Sequence, residues 1–159
     1  MSYATETSVP VEKSKMQIDA LLAANGAQSR GIVVDDDAGT AMIGFVLKGL
    51  KYRLTVPLPK IEKTPRDPPR GWWGWDEQHR ADWLRKTWEQ ARRSQWRGML
   101  LLLKAKFLAV EMGVTDVQKE FLSDLILPSG GTVLSELGKQ ISEALGSGKM
   151  PTLMLPEAR

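Results

Sequence analysis

From Asp76 to Met112 the chain holds no proline and a single glycine, Gly98, and the run stops at Gly113. No other part of the sequence is so uninterrupted, and it reads as one long helix. At about 100° per residue, Leu84, Trp88, Ala91, Met99, Leu102 and Val110 gather on one side. Lys86, Arg93, Arg97 and Lys104 gather on the opposite side, at steps of seven, four and seven. The first half is polar with one apolar stripe. The second half, "MLLLLKAKFLAV", is apolar around most of its circumference, which implies burial from several sides and room for self-association.

The segments around this helix set the fold class. Residues 1–12 read as a flexible N-terminus and 13–159 as one α+β domain. A short helix is expected from Lys13 to Ala24, stopped at Asn25-Gly26. Three strands follow, at Gly31–Asp35, Thr40–Leu47 and Lys51–Leu58, joined by turn-forming "DDAG" and "KGL" into an antiparallel meander. In the third, Tyr52, Leu54 and Val56 alternate with Lys51, Arg53 and Thr55, so one face is apolar and the other polar and basic. A proline- and tryptophan-rich connection covers 57–75; its prolines forbid helix and favour extended geometry. Two short C-terminal helices close the domain. The first has a capping-box spacing at Thr115 and Gln118. The second carries Leu134, Leu137, Ile141 and Leu145 on one face and stops at Gly146. The tail, "KMPTLMLPEAR", reads as an extended strap.

Charge is unevenly placed. The net charge is +3, from 22 Lys+Arg and 19 Asp+Glu. Twelve of those basic residues and six of the acidic ones lie between Lys60 and Lys106, so that segment carries +6 and the remainder −3. All six tryptophans, Trp72, Trp73, Trp75, Trp83, Trp88 and Trp96, lie in the same segment. Cations interleaved with large aromatics suit the phosphates and bases of nucleic acid. The candidate contacts are Arg66, Arg70, Arg80, Lys86, Arg93, Arg97 and Lys104, with stacking from Trp72, Trp73 and Trp75. Glu62, Asp67, Asp76, Glu77, Asp82 and Glu89 are interleaved and dilute the pattern. Trp88 is expected in the core, with Trp83 and Trp96 closing the sides of the helix. The competing reading of the three-tryptophan loop is a hot spot for a protein partner, or a lid folded over the domain's own core.

Catalytic chemistry finds little support. There is no cysteine and one histidine, His79. A histidine at a charged helix start, without an orienting partner, is normally a solvated side chain. Asp35, Asp36 and Asp37 form the one carboxylate run, but they lack calcium-loop spacing and suit a turn. "PSGGTV" lacks the lysine of a phosphate loop and reads as the lead-in to a helix. No catalytic residue, metal ligand or cofactor is therefore expected. The N-terminus has no apolar core of a secretory signal. The most apolar run, Met99 to Leu103, is broken by Lys104 and Lys106, far short of the roughly 20 residues that span a bilayer.

The phrases "YATETSVPVEKSKMQIDALLAANGA", "KYRLTVPLP", "WRGMLLLLKAKFLAVEMGV", "EFLSDLILPSGGTV" and "MPTLMLP" occur in an order that resembles a family of small bacteriophage- and prophage-encoded proteins without an assigned activity. The resemblance covers nearly the whole chain and implies a phage gene product in the bacterial cytoplasm; it carries no functional residues. Helix, three antiparallel strands and helix is also the order of a double-stranded-RNA-binding domain. The proline-rich insertion, and "WDEQHRADW" where that fold has a basic cluster, separate the two. The expectation is a non-enzymatic phage accessory protein that binds single-stranded or structured nucleic acid. The alternative is a module that inhibits a host defence or replication complex through its tryptophans.

Overall fold

The computed structural model describes residues 6–61 and 69–149. Helix α1 (Val11–Ala24) leads into strands β1 (Gln28–Asp35), β2 (Thr40–Leu47) and β3 (Leu50–Pro57). Helix α2 (Glu77–Glu111) follows, then the short α3 (Val117–Phe121) and finally α4 (Val133–Ser147). The sheet is antiparallel in the order β1-β2-β3. The α+β order expected from the sequence is the one observed.

Local chemistry accounts for the elements. Lys48 and Gly49 both have positive φ, the two-residue reversal whose twist matches a right-handed hairpin. Leu47 and Leu50 pair directly across it. In the β1–β2 loop, Asp35 Oδ1 accepts from the Ala38 N–H at 2.8 Å, so the acidic run makes a turn. Strand β1 starts three residues earlier than expected. The ladder slips between Gln28 and Gly31, with Ser29 at φ 47°, and the strand continues through this bulge. Asp76 caps α2 by accepting from the His79 N–H. On α3 the cap is Asp116, which accepts from Lys119, and not the expected Thr115. Asx side chains reach a free amide one turn on more readily than Thr.

The inner face of the sheet, with Ala41, Ile43, Phe45, Tyr52, Leu54 and Val56, packs on α1 and α2. Helix α2 presents Trp96, Leu100, Leu103 and Phe107 to it. This line is turned by roughly 100° from the apolar side expected of the sequence. Trp96 is therefore fully buried, while Leu102 is 47% exposed. Trp88 is at the core's margin, where its indole N–H donates to Pro59 O at 2.7 Å. The second half of α2 is covered on one side, with Met99 and Val110 partly buried beside that line, while Leu102 and Leu108 are exposed. The rings of Phe45, Tyr52, Phe107 and Phe121 lie within 5.4–5.8 Å of one another in a connected set. They tie the sheet, α2 and α3 together.

Helix α4 is capped at Thr132 by a reciprocal bond with Ser135. It buries no residue, and Leu134, Ile141 and Leu145 stay exposed. The expected strap at 150–159 lies outside the described residues. No helix among the described residues is long and apolar enough to cross a membrane.

Replacing Phe121 by alanine removes the ring that three others touch and should cost about 3–5 kcal/mol. A urea titration followed by circular dichroism checks this, and a loss below 1 kcal/mol would show that the aromatic set does not join the layers.

Candidate nucleic-acid interface

The three-tryptophan loop is divided by its own geometry. Gly71, at φ 89°, turns the chain into a short 3₁₀ turn over Trp72–Gly74. Trp72 is buried there, 4.9 Å from the Trp83 ring and 5.8 Å from that of Trp75. This is a small cluster separate from the main core. Arg80 locks it: its guanidinium donates to Trp72 O at 3.2 Å and Trp73 O at 2.8 Å. The same group lies 5.9 Å from the Trp72 ring centre. Arg80 is thus occupied in holding the loop. Trp75 is half-buried, and Trp73 is 83% exposed. Of the three rings, Trp73 is the one offered to solvent.

Lys86, Arg93, Arg97 and Lys104 do form one row, but on a flank of α2 and not opposite its buried line. The row is turned by roughly 70° from the Trp96–Phe107 line. It spans about 27 Å along the helix axis. Arg93 donates to the Gln90 amide oxygen, and Arg97 to the Gln17 amide oxygen at 3.0 Å. Both partners are neutral. Several acids pair with cations outside the row. Asp82 and Glu89 pair with Arg85 at 3.5 and 3.4 Å, and Asp36 pairs with Arg92 at 3.3 Å. Glu120 pairs with Lys106 at 3.6 Å. Among the described residues, none of the four cations in the row has a carboxylate partner. Two of the interleaved acids, Asp82 and Glu89, are thus paired within α2, and Glu62 and Asp67 lie outside the described residues.

Arg70 is exposed at the start of the tryptophan loop. Arg66 lies outside the described residues. The described candidates are therefore the row Lys86, Arg93, Arg97 and Lys104, the exposed ring of Trp73, and Arg70.

The single histidine lies at the start of α2. His79 Nδ1 is 2.9 Å from Asp76 Oδ1, with both side chains largely in water. Asp76 is held below the usual carboxylate range first by the His79 backbone N–H and then by the His79 ring. Among the described residues, no three His, Asp or Glu side chains are grouped as a metal ion would need. Strand residues Lys51 and Arg53, read from the sequence as a basic face and not as contacts, point to the other side of the sheet.

No family model matches the chain, and no curated protein or solved structure matches it either.

Two outcomes follow from this geometry. Trp72→Ala should unlock the loop and lower the thermal midpoint, whereas Trp73→Ala should change stability by less than about 0.5 kcal/mol. Parallel thermal melts distinguish them. Because the Asp76 carboxyl is depressed in the folded state, its stabilisation of α2 is complete above about pH 4 and is lost as pH falls further. Asp76→Asn should flatten that acid limb of the thermal midpoint against pH.

Proposed function

We propose that the chain is a non-enzymatic protein that binds single-stranded or locally unpaired nucleic acid along the flank of α2, with Trp73 as a stacking surface at one end. The observation that carries this reading is the row of Lys86, Arg93, Arg97 and Lys104, free of carboxylate partners among the described residues. Successive cations one or two helical turns apart can each neutralise a phosphate and release its counterion. A ring left in water, as Trp73 is, offers an unpaired base a face to stack on, worth about 1–3 kcal/mol. The setting is that of the phage-encoded accessory proteins that the sequence resembles, acting in the bacterial cytoplasm.

The alternative is capture of a host protein through the tryptophan loop. It needs a cluster of exposed anchors, and Trp73 is one ring. Trp72 packs on Trp83 and is held by Arg80, and Trp75 is half-buried beside the Trp72 ring.

Tryptophan fluorescence titrated with single-stranded DNA, single-stranded RNA and duplex DNA tests the reading. Quenching by a single strand is expected, with affinity falling steeply between about 50 and 200 mM salt. Changing Lys86, Arg93, Arg97 and Lys104 to Gln together should reduce the logarithmic salt slope by roughly 3. Binding that ignores salt, or no binding at low salt, sinks the proposal.

A further inference from the structure

The outer face of the sheet carries a feature that the helix row does not explain. Outward-facing residues align in rows across the three strands. Val33, Met42 and Thr55 form one row, and Gly31, Gly44 and Arg53 the next. Val46 and Lys51 begin the one after it. The middle row has no side chain on two of its three strands. The result is an open trough of about 510 Å³, lined by residues that include Val33, Met42, Val46, Lys51 and Arg53.

Neither glycine is there for the backbone's sake. Gly31 and Gly44 are absent from the positive-φ residues, and the bulge beside Gly31 takes its positive φ at Ser29. Space does not demand them either. A Cβ on Gly31 would meet nothing within 4 Å, and one on Gly44 would touch only Tyr52 O, at 4.0 Å. Glycine inside a strand weakens it, and where neither φ nor crowding requires it, close approach by another molecule is the remaining use.

The rim defines what approaches. The lining includes Arg30, Lys51 and Arg53 and no Asp or Glu. Arg30 is held by Asp19 at 2.8 Å. Among the described residues, Lys51 and Arg53 have no acidic partner. A second copy of this face would set cations against cations, so the occupant is an anion. Its body is flat. The floor is the backbone of β2, hydrogen-bonded to strands on both sides, so it has no free edge for a peptide to pair with. The walls set by Met42 and Val46 stand about 13 Å apart between backbone centres, leaving a slot between side chains for a planar ring. Lys51 and Arg53, about 7 Å apart on one side of β3, suit successive phosphates of an extended strand.

We infer that the Gly31–Gly44 trough is a second binding site for single-stranded nucleic acid, in which an unstacked base lies over the glycine pair and its flanking phosphates meet Lys51 and Arg53. It rests on the reading above only in that the polymer is the same; the residues are separate.

The test separates the two sites by their reporters. The chain has no cysteine, so Thr55→Cys, paired with the lining residue Met42, gives one thiol beside the trough for an environment-sensitive dye. Every tryptophan lies between Trp72 and Trp96, and none lines the trough. Titration with a mixed-sequence single-stranded oligonucleotide should shift the dye and quench the tryptophans. Gly44→Ala, which fills the slot, should weaken the dye response roughly tenfold. Its thermal midpoint should hold or rise, since alanine fits there and restricts the unfolded chain. Lys51→Gln with Arg53→Gln should lower the salt slope by about 1.4. A silent dye with quenched tryptophans overturns the trough and leaves the helix row standing. A responding dye with unchanged tryptophans keeps the trough and removes the row. Silence of both overturns both. An acidic peptide that shifts the dye as strongly as the oligonucleotide would overturn the assignment to nucleic acid.

Discussion

Burial of one side of α2 against the inner face of the sheet is the contact on which the rest of the structure depends. Trp96, Leu100, Leu103 and Phe107 all fall on that line, and three of the four are completely buried. A three-stranded sheet cannot bury its own apolar face, so Ile43, Phe45, Leu54 and Val56 need this helix as their lid. Once the line is set, the helix has no freedom to rotate. The direction of the basic row and the exposure of Leu102 and Leu108 follow from it.

The same contact decides the division of labour among the charges. With α2 seated, Arg92 reaches Asp36 in the β1–β2 turn and Lys106 reaches Glu120 in α3. Arg85 takes Asp82 and Glu89 within the helix. Each is a modest interaction at a partly solvated site. They place Asp82, Glu89, Asp36 and Glu120 against cations other than Lys86, Arg93, Arg97 and Lys104.

Element order was legible in the sequence because its signals are local. Alternation over Lys51–Val56, "KG" between two strands and an unbroken run between proline and glycine each speak for a few residues. The orientation of α2 was not legible. Leu, Met and Ala lie on most sides of its second half, so periodicity alone cannot choose between Leu102 and Trp96 as the buried position. The inward turn of Trp72 was hidden for a similar reason: its partners, Trp83 and the guanidinium of Arg80, come from the next helix. The bare row at Gly31 and Gly44 depends on strand register, which places two residues 13 apart in sequence side by side. Separate glycines in two strands carry no sign of that.

Helix α2 runs for 35 residues, about 52 Å, with no proline. Trp88 bonds the connection after β3, Arg92 the β1–β2 turn and Arg97 the Gln17 side chain of α1. The basic row is therefore built on the same rigid rod that forms the core. Under the proposed binding, a ligand at the row would meet a preformed helix, and its association would be set by encounter and charge, with rates that respond to ionic strength. Differences among ligands would then appear in how slowly they leave.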